Sequence, residues 1–278
     1  MWLWYCSSSM LPSSNNIFDL VWNPKLPILV SSPHSGREIP VDIAQLMTEV
    51  GRASPDTDSL IDELYELGPT IGVSLISANY SRYVVDLNRP IPGGEPLYPG
   101  QRNDTGVCPN RTFDNQPIYQ EGIRLDKSEV LRRISLYYEP YYAAIKNLLT
   151  QLLKKFPKVL LFDAHSIRSS VQGYSEVPFA DFMPGNRNGQ TCPKSLMDTT
   201  ENVLSNSGFT VICNDPFKGG NITRYFGSWH PRVYSLQLEM CKHLYLDELS
   251  GNRSLNFNKM QLILKDLLEN LSTLISNE

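Results

Sequence analysis

The sequence predicts an α/β protein, a single domain with a central mixed β-sheet flanked by helices. Two observations carry this. Short apolar runs bounded by turn residues recur along the chain, and stretches of helical apolar period separate several of them. A third concerns size: 278 residues suffice for one large α/β domain or two small ones, and no repeat, low-complexity tract or linker divides them. The domain is therefore taken as residues 19–278, with residues 1–18 as a flexible N-terminal extension.

The elements follow in order. Strands are expected at Pro27–Ser31, Gly72–Ser77, Tyr83–Leu87, Val159–Phe162, Phe209–Cys213 and Tyr234–Leu238. A helix is expected over Asp58–Gly68, where Leu60, Ile61, Leu64 and Leu67 share one face and a glycine supplies the stop signal. Ser128–Phe156 reads as a long helical segment with Ser128 as N-cap, kinked or divided at Pro140. Asn258–Ile275 is a final amphipathic helix. The Pro-, Gly-, Asn- and Asp-rich stretch from Pro90 to Gly122 is too long for a plain connection and reads as a substrate-covering loop.

Composition narrows the function classes. A formal charge of −4 and a pI near 5.6 give no reason to expect a nucleic-acid partner. No apolar run approaches the roughly 20 residues needed to cross a bilayer, so no membrane partner is expected. The N-terminal "MWLWYCSSSMLPSSNN" lacks the positive region of a secretory signal, which leaves export as the minor alternative. Five scattered cysteines without a CxxC favour reduced thiols and a cytoplasmic setting. The partner expected is a small molecule; the oligomeric state is not legible.

Two of the four histidines close similar apolar runs: His34 in "ILVSSPHSG" and His165 in "LFDAHSIR". Each alone would read as a hydrogen-bonded loop histidine. Together, at the carboxyl ends of strands where α/β folds build their sites, they point to a metal centre. Asp163, two residues before His165, is placed to orient its ring. A carboxylate would complete three protein ligands, and "SPDTDSL" offers Asp56 and Asp58, each of which also reads as a helix cap. In "YSRYVVDLNRP", Arg82 has the planar fork that captures carboxylates and developing oxyanions, or it is a surface arginine paired to Asp86. Glu239 ends the run "VYSLQLE", where a glutamate is costly unless partnered or solvated in a cleft; it is a candidate general base, or the start of a following helix. In "FKGGNITRYFG", Gly219–Gly220 form a tight turn with Arg224 close behind.

Together "PHSG", "PDTD", "SRYVVDLNRP", "PLYPG", "DAHSIRS", "FKGGNITR" and "LQLE" resemble the N-formylglutamate amidohydrolase family, in the family's order, from Pro27 to Glu248. The wider kin implied are the aspartoacylases and zinc carboxypeptidases, hence a phosphorylase/hydrolase-like mixed sheet with zinc at strand ends. The resemblance implies that His34 and His165 bind Zn2+. The kin's His-x-x-Glu is broken here, since Arg37 stands three residues after His34 and Glu38 is one too far. Asp56 matches the family's aspartate and is the expected third ligand, with Asp58 the fallback. The resemblance further implies that Arg82 polarises the scissile carbonyl, Asn88 and Arg89 hold the substrate carboxylate, and Glu239 is the catalytic base. Close members show "GGHIT" where this chain has Asn221.

The activity implied is zinc-dependent hydrolysis of N-formyl-L-glutamate to formate and L-glutamate, a step of histidine degradation. For a dianionic substrate, a cationic cluster of Arg89, Arg224 and Arg168, with Arg187 nearby, makes electrostatic sense. Three alternatives stand beside it: deacylation of another N-acyl amino acid such as an N-acyl-aspartate, a non-catalytic zinc- or ligand-binding relative, and a serine hydrolase acting through Ser166 or Ser35. The last lacks a GxSxG elbow.

Overall fold

The computed structural model describes residues 16–94, 97, 106–171 and 178–277. Six strands, β1 (Phe18–Val21), β2 (Ile28–Ser32), β3 (Ser74–Ala78), β4 (Val159–Ile167), β5 (Phe182–Gly185) and β6 (Val233–Cys241), form one sheet of order β1-β3-β2-β4-β6-β5. The four inner strands run parallel, and β1 and β5 close the two edges antiparallel. The sheet is therefore mixed, as expected, and its inner strands are near-continuous apolar runs because both faces are covered.

The helices are α1 (Val41–Ala44), α2 (Glu49–Ala53), α3 (Ile61–Leu64), α4 (Gly68–Ile71), α5 (Lys127–Arg133), α6 (Glu139–Leu153), α7 (Lys194–Asn206), α8 (Asn221–Trp229) and α9 (Phe257–Ser276). One face of the sheet, with Leu160, Phe162, Leu236 and Leu238, packs on α3, α7 and α9. In α9, Met260, Leu264, Leu267, Leu268, Leu271 and Ile275 follow the 3–4 residue spacing and are fully buried, each worth about 1.5–3 kcal/mol of apolar transfer. The other face, with Leu29, Ile76, Val159 and Leu161, packs on α6 and α8. Among the described residues no helix is long and apolar enough to cross a membrane.

Several expectations are corrected. Tyr83–Leu87 is buried like a strand but forms turns. Among the described residues its backbone pairs with no strand; Tyr83 and Val84 present their carbonyls to Arg133, and Asp86 donates its N–H to Val107 O. Phe209–Cys213 makes only a single bridge, Val211 to Phe182. The helix expected over Asp58–Gly68 is two short helices, and the stop glycine is Gly72, at φ 101°, rather than Gly68. The cap of α5 is Asp126, whose side chain accepts from Glu129 N, while Ser128 donates to Asp126. The long segment is divided just ahead of Pro140, into α5 and α6. A π-helical turn, Ile134–Tyr138, lies between them and absorbs the missing N–H and the ring. Parts of the expected covering loop and of the N-terminal extension lie outside the described residues.

Candidate active site

Period-two alternation builds the site. In β4, Leu160, Phe162 and Ala164 point into one core, while Val159 and Leu161 face the other. Asp163 and His165 continue the row that Leu161 starts. In β6 the pairing partners are Gln237, opposite Asp163, and Glu239, opposite His165. Two adjacent parallel strands thus switch one face from apolar to polar at their carboxyl halves, which is where open α/β sheets bind ligands. His165 consequently stands inside β4 rather than after its end.

His34 arrives from β2 through a turn in which Gly36 lies against the backbone of Asn79 and Tyr80, too close for a side chain. Asp58 reaches the same place because its N–H donates to His34 O, at 2.9 Å. It does not cap α3; that position falls on Leu60, at φ 62°. The rings of His34 and His165 are 4.9 Å apart, and both with Asp58 are almost fully buried. Asp58 Oδ2 lies 3.2 Å from His165 Nδ1 and 3.9 Å from His34 Nδ1.

The outward ring nitrogens face carboxylates. His34 Nε2 is 2.8 Å from Asp86 Oδ1, and His165 Nε2 is 3.3 Å from Asp163 Oδ1. Asn88 Nδ2 also approaches His165 Nε2, at 2.9 Å. Asp86 does double duty, since its Oδ2 accepts from Arg82 Nη2 at 2.8 Å. The pairing of Arg82 with Asp86 is real, yet it is buried within the site and not on the surface.

The electrostatics follow from burial against this charge cluster. Burial, with the Arg82 charge, lowers the His34 pKa and favours the neutral ring. His165 is held well above the usual histidine value: burial opposes the charge, but Asp163, Asp58 and Glu239 together outweigh it. Burial raises Glu239 to about 8. Asp58 is lowered: burial works against this, and the His165 hydrogen bond with the charges of both imidazoles and Arg82 prevails.

The residues fit a divalent cation on four counts. Three donor atoms, one each from His34, Asp58 and His165, lie within 4.8 Å of one another. Two of their separations, 3.2 and 3.9 Å, bracket the roughly 3.4 Å edge of a tetrahedron with bonds near 2.1 Å. Asp163 Oδ1 is buried with no hydrogen bond, and a proton on His165 Nε2 would satisfy it while leaving Nδ1 as a lone pair for a metal. Carboxylates also outnumber guanidinium groups here, so the buried cluster is short of positive charge.

The sequence-predicted residues do not all meet. His34, Asp58, Arg82, Asn88, Arg89, His165 and Glu239 line one cavity of about 50 Å³. Asp56 does not join them: its Oδ2 accepts from Tyr83 OH and Phe113 N. The carboxylate beside the imidazoles is the fallback, Asp58. Arg168 pairs with Asp114 at 2.9 Å. Arg224, which donates to Gly219 O and Leu97 O, borders a larger cavity of about 500 Å³, as does Arg187. Asn221 faces that larger cavity too. Ser166 accepts from Tyr245 OH, and Ser35 donates to backbone carbonyls; neither hydroxyl is bonded to a histidine. Sequence reasoning missed Gln237, whose Oε1 takes the Gly220 N–H and whose Nε2 reaches Glu239, although its period-two spacing from Glu239 was a readable signal.

Fold and site together define an α/β protein with a buried His/Asp/His cluster beside two guanidiniums, at the carboxyl ends of parallel strands. Comparison with known proteins narrows the class. A sequence model described as N-formylglutamate amidohydrolase matches residues 26–246, and the chain belongs to that family. It is 34% identical to an N-formylglutamate deformylase of Pseudomonas putida over 250 residues, 89% of this chain and 92% of that one. A protein of the same name from Pseudomonas aeruginosa is 36% identical, over 89% and 93% of the two chains. The crystal structure of an N-formylglutamate amidohydrolase from Ralstonia eutropha superposes with a TM-score of 0.81 at 31% identity, covering 94% of this chain and 98% of that one. A gene product of Agrobacterium tumefaciens, Atu2144, shares the fold at 18% identity, with a TM-score of 0.72 over 93% and 96% of the chains.

Proposed function

We propose that the protein is a zinc-dependent amidohydrolase that converts N-formyl-L-glutamate to formate and L-glutamate. The observation that carries the reading is the convergence of Glu239, Arg82 and the His34/Asp58/His165 cluster on a single buried cavity. The names of the relatives, at 34% and 36% identity over most of the chain, support the substrate.

His34, Asp58 and His165 would hold the metal. When bound, zinc supplies Lewis acidity that makes water a nucleophile near neutral pH and polarises a carbonyl. Glu239 accepts the proton of the attacking water and returns it to the departing amine nitrogen, so one carboxyl serves as base and then acid. Arg82, pinned by Asp86, presents guanidinium hydrogens to the oxygen that becomes negative at the formyl carbon. Arg89 takes a carboxylate of the substrate. Asn88 spends Oδ1 on Ile222 N and lines the cavity, where its amide hydrogens can serve the substrate. A cytoplasmic place in histidine degradation belongs to the same reading.

The test is formate release from N-formyl-L-glutamate by metal-stripped protein, before and after zinc is restored. Zinc-dependent release is expected. Equal turnover of the stripped protein would remove the metal from the reading, and faster turnover of N-acetyl-L-aspartate would replace the substrate.

A further inference from the structure

We infer that Tyr138 and Tyr142, linked through Asn221, are positioning residues that fix Asn88 and Arg89 for substrate binding; this rests on the function proposed above.

The segment that carries Asn88 and Arg89 belongs to no strand or helix, so its shape must come from individual hydrogen bonds. Three consecutive carbonyls receive one donor each. Leu87 O accepts from Tyr142 OH at 2.8 Å, Asn88 O from Asn221 N at 3.2 Å, and Arg89 O from Tyr138 OH at 3.1 Å. The Asn88 side chain is fixed from the same direction, because its Oδ1 accepts from Ile222 N at 2.8 Å.

The direction of each tyrosine bond is set by a third group. Asn221 Nδ2 lies 2.8 Å from both Tyr138 OH and Tyr142 OH. A side-chain amide has two hydrogens, and here each goes to one hydroxyl. A hydroxyl that accepts from an amide has a single hydrogen left to donate, and for each tyrosine it points to the carbonyl. The asparagine thus orients both phenols, and the phenols tether the backbone on either side of Asn88.

Helix geometry makes this possible. The two rings stack with centroids 4.2 Å apart and planes at 12°. Tyr138 closes the π-helical turn and Tyr142 lies in the first turns of α6, so the local widening sets both hydroxyls against the same segment. Neither tyrosine lines the small cavity, although both border the larger one; toward a substrate held in the small cavity they act through Asn88 and Arg89.

The test compares wild type with Tyr138→Phe, Tyr142→Phe and the double variant. Phenylalanine keeps the ring and removes the hydroxyl, and with it the tether and the acceptor of one Asn221 hydrogen. With N-formyl-L-glutamate, each single variant is expected to raise KM about 3–10-fold and the double about 10–100-fold, with kcat changed far less. Two results would overturn the inference: a double-variant KM within about twofold of wild type, or a fall in kcat at constant KM tracking a lowered melting temperature, the mark of a merely structural role. If the double variant does not fold, Asn221→Leu decides by the same KM criterion, since it leaves both rings in place. Wild-type turnover is measured first. An inactive wild-type enzyme defeats the functional reading itself, whereas an active one with indifferent variants defeats only the positioning role.

Discussion

Oδ1 of Asp86 lies 2.8 Å from Nε2 of His34, so a residue of the turn segment fixes the tautomer of a ring that follows β2. The same carboxylate holds Arg82 and accepts the Asn88 N–H at 2.9 Å. On the proposed reading it raises the basicity of the metal-facing nitrogen. Asp86→Asn is expected to weaken zinc binding about 10–100-fold while the fold persists. Competition against a chromophoric chelator measures this; unchanged affinity would mean that the carboxylate does not support the ring in that way.

Asp56 and Asp58 separate by their partners. Asp58→Asn should abolish stoichiometric zinc binding and formate release together. Asp56→Asn should keep zinc but lose stability, about 1.5–3 kcal/mol, because the carboxylate that receives Tyr83 OH and Phe113 N is gone. Metal content per chain and the denaturation midpoint read both effects. Loss of zinc in Asp56→Asn with retention in Asp58→Asn would reverse the ligand assignment.

Glu239 faces His165 across the strand pair and lines the cavity without being one of the three clustered donors. Glu239→Gln keeps size and removes proton transfer. Turnover should fall about 10²–10⁴-fold with zinc content unchanged. A variant as fast as wild type would show that another group moves the proton.

What could be read from the chain, and what could not, divides along local and non-local signals. The histidines were visible because polar residues interrupt apolar runs. His165 was placed at a strand end because "LFDAHSIR" looks like an apolar run breaking off; in fact Leu161, Asp163 and His165 form one face of a strand that continues to Ile167. Asp56 and Asp58 are indistinguishable locally. Only Tyr83 and Phe113, 27 and 57 residues away, claim the first of them. The edge strand Phe182–Gly185 contains Pro184 and ends in glycine, so its composition reads as a turn; an edge position tolerates it. Helix Asn221–Trp229 was missed because Ile222, Thr223 and Gly227 are poor helix formers, and Gly227 is there for contact with Thr191, where a side chain would collide.

Glu129 ties acid stability to the site. It binds Arg132 through both oxygens and Arg133 Nε at 2.7 Å, and Arg133, fully buried, reaches the carbonyls of Tyr83 and Val84 and the hydroxyl of Tyr119. The hydrogen bond from Arg132 first, and that from Arg133 next, hold the Glu129 carboxyl below the usual glutamate range against the opposing effect of burial. The folded state therefore takes up this proton less readily than the unfolded chain, whose glutamates titrate near 4.3. The stability it contributes is complete above that value and disappears as pH falls through the lower folded value. Glu129 is partly exposed, so solvent screening limits the effect: Glu129→Gln should cost about 1 kcal/mol at neutral pH. The gap between variant and wild type should narrow steadily as acid titrates the carboxyl. Urea denaturation of both proteins across neutral to acid pH checks the sign, and a gap that widens toward acid would refute this account.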